Sequence, residues 1–236
     1  MTWQTLAEAR DEALGCTRCR LAGGRTQVVW MDGNPDAALM FVGEAPGFHE
    51  DRQGLPFVGA AGQLLDTMLR SIGLDRSRCT ICNVIKCRPP GNRDPMPDEI
   101  ESCRPFLEAQ LRFIRPRVIV SLGNFATRFI LAKQVSISRV RGQRFEIEIP
   151  PRQHGQEQGR AQGQEPGRGR GRGPLVTVIP TFHPAAVLHG GGNASPAFNA
   201  LQEDFRLIAS VLAEPPPATP EEPEPAEETA EQEALF

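Results

Sequence analysis

Long apolar runs are absent from this sequence. None reaches the roughly 18 residues that a membrane span requires, and the first 15 residues, MTWQTLAEARDEALG, lack the apolar segment of a signal peptide. We therefore predict a cytoplasmic protein with no membrane attachment. Familiar nucleotide-binding loops are absent as well, because the glycine turn GEAPG at residues 43–47 is neither GxGxxG nor a Walker loop. This disfavours a dinucleotide site.

Lysine is also scarce. Lys86 and Lys133 are the only two, and arginine, whose planar fork suits phosphate, supplies the other 24 cationic side chains. The formal net charge of −3 is unevenly distributed, because the chain from Glu214 onward carries eight Glu and neither Lys nor Arg. Residues 1–213 alone therefore carry +5, a charge that suits a polyanionic partner.

Four apolar, β-rich runs alternate with helical patterns. The runs cover residues 38–43, 79–87, 118–123 and 175–180, and the helical patterns cover residues 2–14, 60–72, 98–114, 124–132 and 197–213. Continuous apolar strands between helices imply a parallel sheet with both faces covered. We predict one domain over residues 1–213 with an α/β fold of three layers, α/β/α, around a central four-stranded, mostly parallel sheet.

Two segments fall outside this core. Residues 150–174, PPRQHGQEQGRAQGQEPGRGRGRGP, are of low complexity and follow the alternating run RFEIEI, so we expect a disordered insertion in a hairpin. It is either a tolerated loop or a phosphate-binding arm with five Arg. Residues 214–236 form an acidic, Pro/Glu-rich tail that we also expect to be disordered. Its ending QEALF, from Gln232 to Phe236, matches the Q-x-x-L-F pattern of peptides that bind bacterial sliding clamps. The match indicates either clamp binding or a chance ending of a solubilising tail.

Chemically useful residues gather where the predicted strands end. The first strand ends at Gly43 in GEAPG, the second carries Asn83, and the fourth ends in PTFHP with His183. Ligands of open parallel sheets bind beyond these carboxyl ends. Phe57, in the isolated PFVG of the first loop, would supply a ring that stacks on a planar ligand. His183 could instead be a core histidine, but its place in a His-Pro turn favours a functional role.

Four stretches carry a family resemblance: GEAPGFHEDRQGLPFVGAAGQLLD, NVIKCRPPGNRDP, SLGN and HPAAVL. They resemble the uracil-DNA glycosylase superfamily, specifically family 4, the branch with an iron–sulfur cluster. The resemblance spans about residues 14–213 without the insertion. It implies a monofunctional, monomeric enzyme of base excision repair, associated with the nucleoid. Such an enzyme flips uracil out of DNA and hydrolyses its N-glycosidic bond to leave an abasic site.

The resemblance also implies roles for the residues of the base pocket. Phe57 would stack on the uracil beside Gly43, and Asn83 would hydrogen-bond its Watson–Crick edge. His183 would support O2 as the base leaves with negative charge. Glu50 would border the C5 side of the base.

Further site residues follow from the same resemblance. Enzymes of the superfamily with a strong general base have Asp at the position of Ala45, so here water held near Glu44 and Ala45 would add late to a cationic sugar. Glu44 would orient that water or stabilise the cation. Asn92 is either a site residue or a plain turn residue. In the loop after His183, the side chains that either wedge into DNA or simply pack are Val187 and Leu188.

Six cysteines suggest metal or redox chemistry in a cytoplasmic chain. The residues that match the [4Fe–4S] ligands of family 4 are Cys16, Cys19, Cys87 and Cys103. A rival zinc site would combine the first two with Cys79 and Cys82. Because the rival pair lies in a predicted strand, where positions i and i+3 point to opposite faces, we favour the cluster and expect it to be structural.

Two other functions remain open. A related branch binds uracil-DNA and traps its product covalently through a histidine in a basic loop after the second strand, but CRPPGNRDPMPDE has no histidine. The other is an iron–sulfur redox protein, in which His183 would be idle. Neither Lys86, next to a predicted cluster ligand, nor Lys133, in a predicted helix, suits a Schiff base. We therefore expect no strand cleavage.

Overall fold

A six-stranded sheet forms the centre of the computed structural model, which describes residues 3–149 and 174–215. Its order is β1-β3-β2-β4-β6-β5. The strands are β1 Asp32–Gly33, β2 Leu39–Gly43, β3 Thr80–Asn83, β4 Val118–Leu122, β5 Phe145–Glu148 and β6 Leu175–Thr181. The predicted insertion up to residue 173, the tail beyond residue 215 and the QEALF ending lie outside the described residues. The predicted domain limits therefore stay a prediction.

The four central strands run parallel, as the apolar runs predicted. β3, β2, β4 and β6 pair in parallel, whereas β1 and β5 close the two edges in antiparallel pairing. The predicted α/β class is confirmed, but the count of four strands was too low. β1 is only two residues long and has no apolar run. β5 comes from RFEIEIP, which was interpreted as a hairpin strand and not counted in the sheet.

Eight α-helices surround the sheet in the described residues. The five long patterns gave helices close to their predicted positions. Three short helices, Phe48–Gln53, Ile137–Val140 and Pro184–His189, lie where no helix was predicted, because segments of four to six residues are too short to display a helical period. The helices are α1 Leu6–Leu14, α2 Phe48–Gln53, α3 Ala60–Ser71, α4 Pro97–Ile114, α5 Gly123–Leu131, α6 Ile137–Val140, α7 Pro184–His189 and α8 Pro196–Ala213. None of these described helices has the length and apolar character needed to cross a bilayer.

The strand side chains divide between two apolar cores. Met40 and Val42 of β2 join the core under α1 and α4, while Phe41 joins the core under α3 and α8 and stacks on Phe205 with ring centroids 5.8 Å apart. Cys79 belongs to the second core and Cys82 to the first. This separation agrees with the expectation that these two thiols cannot serve one zinc site.

The described residues that flank the predicted insertion and those that precede the predicted tail lie at the same end of the sheet. The insertion is rooted where the amide of Ile149 donates to the carbonyl of Pro174 (3.2 Å), beside the amino end of β6. Arg117, just before β4, donates to the carbonyls of Val211 and Glu214 and so places the end of α8 there too. Both roots therefore lie at the sheet edge opposite the carboxyl ends of the parallel strands.

Candidate active site

Four of the predicted site residues meet at the carboxyl edge of the sheet. Gly43 ends β2 and lies in register with Asn83, the last residue of β3. A Cβ atom built on Gly43 would stand 2.4 Å from Asn83 Oδ1 and 2.6 Å from Cζ of Phe57. The rings of Phe57 and His183 stack with their centroids 5.5 Å apart and 29° between their planes. The structure thus gathers an aromatic ring, an amide and an imidazole around a glycine, and we call this group the base pocket.

The amide of Asn83 contains an unsatisfied acceptor. Asn83 is 2% exposed, and its Oδ1 is buried without a hydrogen-bond partner among the described residues. Leaving such an atom unpaired costs about 1–3 kcal/mol. An N–H donor from a ligand would remove this cost. The base pocket is therefore built to accept a donor at Oδ1.

His183 enters the base pocket as the residue that caps α7. Its Nδ1 accepts a hydrogen bond from the amide of Ala185 at 3.1 Å. Burial lowers the pKa of His183 to about 4, although the charge of Glu50 acts in the opposite direction. The ring is therefore neutral at pH 7, and since Nδ1 is an acceptor, the proton lies on Nε2. The imidazole can donate one hydrogen bond from Nε2 without carrying a charge.

Phe57 is held in an unusual backbone conformation by Arg76, which the sequence analysis missed. Phe57 has a φ of +55°, a region that favours glycine. Arg76 donates from Nη1 to the carbonyl of Pro56 at 3.1 Å and from Nη2 to the carbonyl of Phe57 at 2.5 Å. The same guanidinium is fixed by Asp66 (2.7 Å) and Asp32 (2.8 Å). No local pattern marks an arginine that acts across 19 residues of chain.

Glu50 holds the same loop from the other side. Its Oε1 accepts hydrogen bonds from the amides of Val58 and Gly59, both at 2.9 Å, next to the first residue of α3. Its charge also raises the pKa of His183 against the effect of burial. Glu50 therefore lies beside the base pocket, but its carboxylate is engaged with the loop backbone that follows Phe57.

Glu44 points away from the base pocket. The position of a Cβ on Gly43 faces Asn83 and Phe57, whereas Glu44 lines a cavity of about 250 Å³ together with Val84, Ile100 and other residues that do not include the base pocket. Burial, and then the charge of Asp94, raise the pKa of Glu44 to about 7. The carboxylate therefore changes its charge near neutral pH, in a neighbouring cavity.

Two further predicted residues also lie apart from the base pocket. Ala45 is partly buried and packs against the apolar core under α1 and α4. Asn92 is in an exposed turn with a φ of +56°, and its Oδ1 accepts a hydrogen bond from Nε of Arg88 at 2.7 Å. Asn92 is thus a turn residue that also fixes the direction of an arginine.

For Val187, the structure agrees with the packing alternative of the wedge prediction. Val187 lies in α7, is fully buried and belongs to the apolar core under α3 and α8. Its neighbour Leu188 is 36% exposed. Of the two candidates, only Leu188 presents its side chain to the surface.

Lys86 supports the backbone of Asn83, a role that the sequence did not reveal. It is 1% exposed, and its Nζ donates to the carbonyl of Asn83 and to Oε1 of Gln110, both at 2.6 Å. Its amide donates to Sγ of Cys103 at 3.3 Å. One buried residue therefore connects the base pocket with the predicted cysteine ligands.

The four predicted ligand cysteines line a single cavity: Cys16, Cys19, Cys87 and Cys103. Burial raises the pKa of Cys87, and it raises the pKa of Cys103 to about 11. Thiols in this environment become thiolates only beside positive charge. Within the described residues, no group of three or more His, Cys, Asp or Glu is placed to hold a metal ion. Four cysteines that line one cavity are the type of ligand set that holds a [4Fe–4S] cluster.

The lowered pKa of His183 predicts a pH dependence of stability. An unfolded histidine has a pKa of about 6.5, so between pH 6.5 and 4 the unfolded chain binds a proton that the folded chain does not. The free energy of unfolding must therefore fall as the pH decreases through this window. Urea unfolding at pH 6.5 and pH 5 should reveal a decrease that is smaller in His183→Gln by up to about 1 kcal/mol, since part of the ring faces solvent. Equal decreases in both proteins would contradict a neutral His183.

Comparisons with known proteins agree with this geometry. Residues 30–206 match the uracil DNA glycosylase superfamily. The chain is 38% identical over 216 residues to a type-4 uracil-DNA glycosylase of Sulfurisphaera tokodaii, and the matched region covers 89% of this chain and 86% of the relative. It is 44% identical to type-4 uracil-DNA glycosylases of Archaeoglobus fulgidus, over 79% of this chain and 84% of the relative, and of Thermotoga maritima, over 75% and 80%. The chain therefore belongs to the uracil DNA glycosylase superfamily and, within it, to the type-4 uracil-DNA glycosylases.

Proposed function

We propose that this protein is a monofunctional uracil-DNA glycosylase of base excision repair. It flips uracil out of DNA, hydrolyses the N-glycosidic bond and leaves an abasic site in an unbroken strand. The observation that carries the proposal is the buried, unpaired Oδ1 of Asn83, which lies close to Gly43 together with the Phe57 ring. A redox protein would have no use for such an acceptor, and the loop after β3 has no histidine for covalent trapping.

The base pocket has the hydrogen-bonding groups that uracil requires. N3–H of uracil donates to Oδ1 of Asn83, and the amide nitrogen of Asn83 donates to O4. Cytosine is rejected, because its N3 would face Oδ1 and its N4 amino group would face the Asn83 amino group. Once the nucleotide has been flipped out of the duplex, Phe57 stacks on the uracil ring.

His183 assists the departure of the base. As the N-glycosidic bond breaks, negative charge develops on the pyrimidine and reaches O2. The neutral imidazole donates from Nε2 to this oxygen in a site that excludes water, an interaction typically worth about 3 kcal/mol. Since the pKa of His183 is lowered to about 4, this donor keeps the same protonation state throughout the physiological range.

Bond breaking precedes the attack of water in this proposal. Ala45 cannot take a proton, so an oxocarbenium-like sugar forms first and a water held near Glu44 and Ala45 adds late. An ionised Glu44 would stabilise the positive charge of the oxocarbenium-like sugar or orient that water. Because its side chain lines the neighbouring cavity, Glu44 is separate from base recognition.

A [4Fe–4S] cluster bound by Cys16, Cys19, Cys87 and Cys103 has a structural role in this proposal. The ligands come from the segment after α1, from the loop after β3 and from α4. When bound, the cluster supplies cross-links between these three segments and no step of bond cleavage. Lys86 then ties the same region to the strand end that carries Asn83.

Three finer features stay predictions. They are the monomeric state, the location in the cytoplasm at the nucleoid, and the binding of a sliding clamp by residues 232–236, which lie outside the described part of the chain. Leu188 remains the candidate wedge, since it alone of the predicted pair is exposed.

Product analysis tests the proposed activity. With a duplex that contains one uracil, we expect free uracil and a strand that breaks only after alkali treatment. Phe57→Ala, Asn83→Ala and His183→Ala should each lower the single-turnover rate, the last by about 100-fold or more as for the loss of an oxyanion donor. Leu175→Ala, 62% exposed at the opposite sheet edge, is the control. Cleavage before alkali, or a protein–DNA adduct on a denaturing gel, would refute the proposal.

The raised pKa of Glu44 gives the reaction a pH dependence. Glu44 is protonated below its pKa of about 7 and ionised above it. If the ionised form assists, the single-turnover rate should rise with pH and level off above about 7, by up to tenfold per pH unit below that value. Glu44→Gln should be slower and should lack this rise. The same rise in Glu44→Gln would assign the pH dependence to another group.

Iron content tests the proposed cluster. Purified without oxygen, the protein should contain about four irons per chain, and Cys87→Ser or Cys103→Ser should lower both iron and the visible absorption of the cluster. Cys79→Ala is the matched control, because Cys79 is even more buried than Cys87 and Cys103 but does not line the cavity. Full iron content in the Cys87 and Cys103 variants would end the assignment of these ligands.

A further inference from the structure

An exposed aromatic ring lies between two arginines beside the base pocket. Phe48, the first residue of α2, is 45% exposed. The guanidinium carbons of Arg88 and Arg52 lie 5.1 Å and 5.5 Å from its ring centroid. The ring of His49 meets it edge-on with centroids 5.4 Å apart. A large apolar ring that remains half in solvent between two cations is a feature that the proposed chemistry does not use.

The charge of this patch is positive. Its neighbouring carboxylates face inward, since Glu50 binds the backbone after Phe57 and Asp51 accepts a hydrogen bond from the amide of Thr26 at 2.9 Å. Within residues 3–149 and 174–215, neither Arg52 nor Arg88 forms an ion pair. The two guanidiniums are therefore available to an anionic ligand.

The patch is fixed relative to the base pocket. α2 follows the glycine turn that contains Gly43, and Glu50 of α2 is bonded to the loop that presents Phe57. On the other side, Asn92 directs Arg88 onto Phe48 through its hydrogen bond. A ligand on Phe48 would therefore lie beside a nucleotide held in the base pocket.

We propose that Phe48, Arg52 and Arg88 bind an unpaired nucleotide of the DNA strand that flanks the extruded uracil. The base stacks on the exposed face of Phe48, and the adjoining phosphate lies against the two guanidiniums. Aromatic platforms beside arginines recognise single strands in this way, without regard to sequence. The inference rests on the proposed function for the identity of the strand, and it assigns a second base site outside the base pocket.

The test measures binding of a uracil-free, single-stranded oligothymidylate by fluorescence anisotropy, so that its result does not depend on base release. Phe48→Ala should weaken binding about tenfold or more, as expected for the loss of one base–aromatic stack. Phe48→Leu should be as weak as Phe48→Ala, whereas Phe48→Trp should bind like the wild type, with a change in Trp emission on binding. Leu55→Ala, 43% exposed in the loop that follows α2, is the control and should bind normally.

Salt dependence supplies a second measurement. Arg52→Gln and Arg88→Gln should each reduce the slope of log K against log salt by about 1. Normal binding by both Phe48→Ala and Phe48→Leu would overturn the inference, and so would tight binding by Phe48→Leu alone, since an aliphatic contact would then suffice. If the wild type binds the strand in this manner but releases no uracil from a uracil-containing duplex, the proposed activity fails and the second base site stands.

Discussion

The register between β2 and β3 is the constraint on which the site depends. It places Gly43 opposite Asn83, where only a residue without a side chain leaves room for the amide and the Phe57 ring. A slip of one residue would send Asn83 to the other face of the sheet and bring a neighbouring side chain into the pocket. Both strands are fully buried and their side chains are divided between two apolar cores, so such a slip would exchange side chains between the cores and disrupt the packing of both. The stability of the sheet and the position of the recognition amide therefore share one cause.

This arrangement leaves two local costs that the surroundings offset. Oδ1 of Asn83 is unpaired, and Phe57 occupies a backbone region that disfavours a large side chain. Each costs on the order of 1–3 kcal/mol. Arg76 holds the strained loop through the carbonyls of Pro56 and Phe57, and its own charge is balanced by two aspartates. A ligand pocket that is preformed in this way needs little rearrangement when a base enters.

The sequence revealed those parts of the molecule that depend on local pattern. Short, β-rich apolar runs located the parallel strands, and motifs at the strand ends and in the first loop located Asn83, Phe57 and His183. The choice between wedging and packing at Val187 stayed open, because this residue lies in a helix of six residues, too short for its pattern to reveal which side is buried. Side chains alternate between the two faces along a strand, so Glu44 lies on the opposite side from the Gly43 position that faces Asn83 and Phe57. The family resemblance, which implied a site role for Glu44, did not take this alternation into account. Contacts such as those of Arg76 span distant segments, so no local pattern could reveal them.

The position of Lys86 connects the four cysteines proposed to hold the cluster with the strand end that carries Asn83. Its amide reaches Sγ of Cys103 and its ammonium group reaches the carbonyl of Asn83, so displacement of the cysteines would move the end of β3. Gln110 of α4 accepts the second hydrogen bond of the ammonium group, which ties the same helix that carries Cys103 to the recognition strand. A cluster bound by the four cysteines would thus stiffen the support of Asn83 without touching the substrate. Rigid support matters for the proposed role of Asn83, because an amide that is to distinguish uracil from cytosine must hold its donor and acceptor in fixed directions.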